Sequence, residues 1–190
     1  MDPAALRAHL NGDRLDRTGV DRLVGELLDS PDSVKVLLEE IHKGEESGHF
    51  QASWVLDHLL RRKPNYLLPH MEQFSLLLPG LKNESCIRCL FHVCEMLCIA
   101  AFKQKQRPFR EGIDRHQWER IMGACFDALI GPMAMAPKVF AMGCLYYLGQ
   151  LFPWVHPQLK GVLEETYATG SIGYRIRAKK TLALLAATAP

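Results

Sequence analysis

One helical stripe is written four times along this chain. In residues 49–62, HFQASWVLDHLLRR, apolar side chains fall at Ala52, Val55, Leu56, Leu59 and Leu60. That i, i+3, i+4, i+7, i+8 spacing lines one face of an α-helix. The first four offsets recur at Leu90, Val93, Cys94 and Leu97, then at Ala141, Cys144, Leu145 and Leu148, and finally at Ala178, Thr181, Leu182 and Leu185. The starting positions 52, 90, 141 and 178 lie 38, 51 and 37 residues apart. The long middle interval holds the polar run KQKQRPFREGIDRH after Phe102, read as an insert at about 103–114. Without it the period is close to the ~40 residues of repeats built from helix pairs. Such a pair cannot bury its apolar face alone, so successive copies must stack.

The remaining elements fit that frame. A partner helix is expected at about 66–78, with Leu67, Met71, Phe74 and Leu78 on one face, closed by Pro79 and Gly80. Others carry Trp118, Ile121, Met122, Cys125 and Leu129, or Leu159, Val162, Leu163 and Thr166. Nearer the start, Thr18 is placed to cap a helix with Val20, Leu23, Val24, Leu27 and Leu28. Ser30–Pro31 reads as a cap and first residue of a helix running to about Ile41, stopped by Gly44. Pro64 ends the 49–62 helix. No run alternates apolar and polar residues between turn signals, so strands are not expected. The prediction is an all-α fold, an α–α superhelix of about four to five helix pairs, in one domain over residues 1–190. HEAT and armadillo solenoids are the architectures with this period.

At 190 residues and 48% hydrophobic, the chain is long enough to bury a substantial core. A net charge of +2 and a pI near 8.2 are too mild to demand a polyanionic partner. No uninterrupted apolar run approaches the roughly 20 residues of a membrane-spanning helix. The opening MDPAALRAHLNGD lacks the basic and apolar regions of a signal peptide. The six cysteines all lie in apolar helical stretches, which suits a reducing compartment. The expectation is a cytoplasmic protein with no membrane association.

The runs QASW, KPNYLLPHM, PKVFAMGCLYYL and GSIGYRIRAKK resemble a group of short bacterial HEAT-like repeat proteins found in Bacteroidetes-type genomes. The likeness covers roughly residues 20–186 and departs at the insert. It implies the helical-repeat fold and carries over no catalytic residue.

Several constellations could carry chemistry. CIRCLFHVCEMLC, Cys86 to Cys98, holds a C-x2-C and a histidine. At 100° per residue, however, Cys86, Cys94 and Cys98 lie on the apolar stripe while His92 points to the opposite side, so one helix scatters these ligands. Core packing is the reading, with no metal and no cofactor. Lys103, Lys105, Arg107 and Arg110 crowd the insert, and Arg175, Arg177, Lys179 and Lys180 the last helix. They read as a solvated surface, with nucleic-acid contact as the alternative. In TGSIGYRIR, residues Gly170, Ser171, Gly173, Arg175 and Arg177 form a candidate anion site at a helix start, set against a plain repeat-joining turn. Trp54 with Asp57, and Trp118 with Asp114, place an aromatic near a carboxylate, as HEAT-like DNA glycosylases do. Packing between repeats is the plainer reading. No P-loop, zincin, nucleophile-elbow or dinucleotide motif is present.

These observations favour a non-enzymatic interaction module that binds a protein partner along the concave face of a solenoid. The polar faces of the second helices would line it: His70 and Gln73, Glu119 and Arg120, Lys160 and Glu164. Tyr146 would add an aromatic anchor. The alternatives are a nucleic-acid binder using the insert and last helix, and a glycosylase-type enzyme. The ending TLALLAATAP leaves apolar surface, so the chain is expected as a monomer or a weak homodimer.

Overall fold

All sixteen residues of the four repeated stripes are buried except Leu182, which is half-buried. The fold, a computed structural model, is described over residues 1–44 and 49–188. Among those residues there are eleven α-helices and no strand. The helices are α1 (Pro3–Asn11), α2 (Arg17–Leu27), α3 (Ser33–His42), α4 (His49–Arg62), α5 (Met71–Leu77) and α6 (Glu84–Cys98). They continue with α7 (Arg107–Gly112), α8 (Arg115–Ile130), α9 (Met135–Leu148), α10 (Val155–Thr166) and α11 (Ile172–Thr188). Residues 1–93 and 94–190 form two compact units, the division falling inside α6.

In the first unit α4 packs against α2 and α3, and α1 packs on α3. The core joins Leu6 and Leu10 to Val20, Leu23, Leu37, Ile41 and the α4 stripe. Asp2 caps α1, its carboxylate accepting from the backbone N–H groups of Ala4 and Ala5. Buried Glu40 would be costly alone. It is met by Arg7, Asn11 and Lys43, whose hydrogen bonds outweigh the effect of burial and hold its pKa below the ordinary value.

Three boundaries depart from the sequence reading. The α2 cap is Asp16, whose Oδ1 accepts from the Gly19 N–H at 2.7 Å, leaving Thr18 inside the helix. Asp and Thr are both good caps, and the aspartate two positions earlier takes the role. Ser30–Pro31 opens a turn rather than the helix: Ser30 O accepts from Ser33 N, and α3 begins at Ser33. The expected 66–78 helix is interrupted. Leu67, Met71, Phe74 and Leu78 are buried on schedule, but Pro64–His70 winds as a 3-10 helix before α5. Pro69 lacks an N–H and its ring disfavours the α conformation in the residue before it. Gly44 ends α3 as expected, at φ +83°, where a side chain would strain the backbone.

In the second unit α9 packs against α8, α10 and α11. It is apolar on nearly every side because it is the centre of the unit, with Ala141, Met142, Cys144, Leu145 and Leu148 sealed from solvent. The insert is less polar than its composition suggests. It contains α7, and Phe109 and Ile113 are buried as its anchors. Asp114 then starts α8 with a capping box, accepting from Gln117 N while the Gln117 amide oxygen accepts from Asp114 N. Residues Glu84–Lys103 together are long and apolar enough to span a bilayer, and 61% of the most apolar window is buried within the protein.

Candidate functional site

A cleft of about 490 Å³ opens in the second unit between the end of α6, α9 and α11. All three are repeat helices, and of their stripe residues Thr181 reaches the cleft. Glu95, at the end of α6, reaches Arg177 of α11 across the backbone of Gly143 in α9. A Cβ on Gly143 would sit 2.6 Å from the guanidinium and closer still to the carboxylate, so only glycine leaves room for the pair. Tyr146 and Tyr147, one turn on, stand edge to face with centroids 5.2 Å apart. His156 stacks on Tyr146 and its Nε2 donates to the Tyr146 carbonyl at 2.8 Å, fixing that wall. Burial, with Tyr146 and Glu95 nearby, raises the Tyr147 phenol above its ordinary pKa.

The opposite rim is made by a π-helical turn, Ile99–Lys103, closed by Gln104 N donating to Ile99 O at 2.8 Å. The wider turn brings Ile99 and Lys103 to the cleft, and π-turns concentrate at functional sites. Lys105 follows at φ +55°, the one non-glycine residue with positive φ among those described. Holding a lysine there costs on the order of 1 kcal/mol. From α11, Lys180, Thr181 and Leu184 join the lining, with Gln150 from the turn after α9.

Beneath the cleft floor four thiols gather: Cys94, Cys98, Cys125 and Cys144, all fully buried and unbridged. Burial pushes Cys94, Cys98 and Cys125 well above the ordinary thiol pKa. Burial opposes ionisation at Cys144 too. There, hydrogen bonds from Cys125 and Cys98 and the Arg177 charge outweigh it and make this thiol the most acidic of the four. Among the described residues no three His, Cys, Asp or Glu side chains are arranged to hold a metal.

The first unit uses the same repeat position differently. Asp57 stands five residues after Ala52, as Glu95 stands five after Leu90. Asp57 is 2% exposed and accepts from Arg61 Nη2 and from His92 Nδ1, each at 2.6 Å. Burial alone would raise this carboxyl, but the two hydrogen bonds prevail and hold its pKa below the ordinary value. Beside it the Trp54 indole N–H donates to His58 Nε2, so His58 carries its proton on Nδ1, facing Asp21 at 3.3 Å. Desolvation keeps this imidazole below its usual pKa. Cys89, buried near Asp57, is pushed up to about 11.

The residues singled out from sequence are distributed as follows. Tyr146 and Arg177 share the cleft, with Lys103 and Lys180 from the two basic runs. Gly170 and Ser171 border a separate hollow with Met135 and Tyr174, where the Ser171 hydroxyl faces the Met135 sulfur at 3.0 Å. Gly173 packs against that same sulfur, and Arg175 is exposed on α11. The structure therefore does not gather the five residues of the candidate anion loop around one point. Glu119 is engaged by Arg115 and His116, and Lys160 pairs with Glu164 at 3.8 Å on the surface of α10. Arg120 is half-buried in α8. His70 and Gln73 lie half-buried in the first unit, and desolvation lowers the His70 pKa. In the insert Arg107 pairs with Glu111. Of the aromatic–carboxylate pairs, Asp57 is occupied by Arg61 and His92, Asp114 by its cap, and Trp118 is buried.

Glu95 and Gly143 were not legible as site residues from local patterns. The repeat alignment holds a signal for both. Position 143 matches Trp54, His92 and Lys180, so a large outward side chain is missing in one copy, and Glu95 matches Asp57.

One further surface stands out. Ile172 and Ile176, a turn apart on the outer face of α11, are 71% and 67% exposed. Met135, held against Gly173, is exposed beside them. No family model, curated protein or solved structure matches the chain.

Proposed function

We propose that the chain is a non-enzymatic interaction module, a HEAT-like α-solenoid related to the short bacterial repeat proteins it resembles, and that it docks a protein partner. The four equivalent stripes, buried at nearly every position, support the stacked-repeat reading. The observation that carries the binding role is the outer face of α11. Ile172, Ile176 and Met135 leave apolar surface in water, whereas the stripe residues of the same helices are largely buried. The polar second-helix positions support docking less well, because Glu119, Lys160 and Glu164 already have ionic partners.

The charge around the patch selects the occupant. Helix α11 contains Arg175, Arg177, Lys179 and Lys180 and no acidic residue. Among the described residues no ion pair holds Arg175 or Lys179, which flank Ile172 and Ile176 on the helix surface. A second copy offering its own α11 would set like charges opposite one another. An amphipathic helix with apolar residues at i, i+3 and i+4 and acidic flanks meets both requirements.

A photo-crosslinking amino acid placed at Ile176 in cells tests the assignment. Mass spectrometry is expected to find it joined to an acidic amphipathic segment of another protein. Ile172→Glu, with the crosslinker kept at position 176, should abolish that product while leaving the melting temperature unchanged, since Ile172 is exposed. Crosslinks confined to another copy of this chain, or to nucleic acid, would overturn it.

A further inference from the structure

We infer that the cleft over Gly143 binds a small organic anion that carries a flat ring. It is separate from the outer face of α11, and the two can fail independently.

The first support is electrostatic. Lys103, Lys180 and Arg177 face the cleft against a single carboxylate, Glu95. Glu95 is already matched by Arg177, and among the described residues no ion pair engages Lys103 or Lys180. Two ammonium groups lining one cleft are therefore open to an anion, and as compact point charges they suit a carboxylate or a phosphate equally.

The second support is a hydroxyl without a partner. Thr181 occupies a stripe position filled by aliphatic or thiol side chains in the other three copies, Val55, Val93 and Cys144. Thr181 is only 3% exposed, lines the cleft, and makes no hydrogen bond among the described residues. Its oxygen is not sealed in the core, so it offers a hydrogen-bonding group to the cleft. A ligand oxygen entering the cleft would pair with it.

The third support is shape. A bare phosphate would fill only part of about 490 Å³, which lies in the range of small-molecule sites. The walls between the lysines and the floor are Tyr146, Tyr147, Ile99 and Leu184. Tyr146 is already braced by a stacked imidazole, so its ring is fixed before any ligand arrives. A planar ring between these walls, with its anionic group toward the lysines and an oxygen toward Thr181, matches these features of the lining.

The test uses the full chain and three probes: phenyl phosphate, benzoate and adenosine monophosphate, with inorganic phosphate as the ringless control. Titration calorimetry is expected to show at least one ring-bearing anion binding at or below about 1 mM, with phosphate about tenfold weaker. Lys103→Ala with Lys180→Ala should weaken that probe about tenfold, and Thr181→Val about threefold, at unchanged melting temperature. Ile172→Glu with Ile176→Glu should leave it unaffected, which separates this site from the docking face. The inference is overturned if none of the three binds, if phosphate binds as well as they do, or if the lysine variant binds undiminished.

Discussion

The carboxylate of Glu95 and the guanidinium of Arg177, 82 residues apart in sequence, meet directly over the backbone of Gly143. The last repeat helix is thereby tied to the α6 helix across the one that lies between them. A pair this sheltered is worth little if replaced whole, but breaking one partner strands the other.

Gly143→Ala follows as the sharpest check. In an open helix, glycine to alanine stabilises by up to about 1 kcal/mol. Gly161 in α10 and Gly123 in α8 have nothing within 4 Å of an added Cβ, so alanine there should stabilise by that amount. At Gly143 the same change pushes a methyl into the ion pair and should destabilise by about 1–3 kcal/mol. Urea denaturation of the three variants reads the opposite signs directly.

The acid limb of stability should have two parts. His58 and His70 have folded pKa values below 6.5 because burial disfavours their charged forms. As pH falls below 6.5 the unfolded chain takes up these protons first, and stability drops by at most about 1.4 kcal/mol per pH unit for each. Asp57 behaves oppositely in range. Its folded pKa lies below 3.8, so the stability it contributes is complete above that value and is lost as pH falls through the folded pKa. Denaturation midpoints from pH 8 to pH 2.5 should show His58→Gln with a shallower slope starting near 6.5. Asp57→Asn should cost about 3 kcal/mol at neutral pH and flatten only the limb below 3.8.

Phe109→Ala addresses the insert. A solvated loop would tolerate the change within a few tenths of a kcal/mol, whereas a fully buried phenylalanine should lose about 3–5 kcal/mol. Leu145→Ala, at a sealed repeat position, should lose about 2–5 kcal/mol, and Leu182→Ala, half-buried, distinctly less. Thermal melts with matched circular dichroism spectra would order the three.

The repeat helices were legible because their signal is local. Apolar residues at i, i+3, i+4 and i+7 carry the same meaning wherever they stand, and α4, α6, α9 and α11 sit where that spacing puts them. What escaped was decided by competition or by distance. Asp16 and Thr18 both make good caps, and Pro69 converts a correctly patterned segment into 3-10 geometry without disturbing which residues are buried. Phe109 and Ile113 are two apolar residues in a run whose charges dominate any average, so the insert hid its own anchors. The cleft depends on Glu95 finding Arg177 across a third helix, and no window of neighbouring residues contains that relation. Of the candidate groove and anion-loop residues Tyr146 and Arg177 fall inside it, joined by Lys103 and Lys180 from the basic runs.

The sealed thiols give the second unit a built-in clock. Cys94, Cys98, Cys125 and Cys144 have no exposed surface, so an alkylating reagent can reach them only while helices are parted. Under native conditions the pace at which they are tagged counts those openings, and any occupant that braces α9 against its neighbours should slow the count.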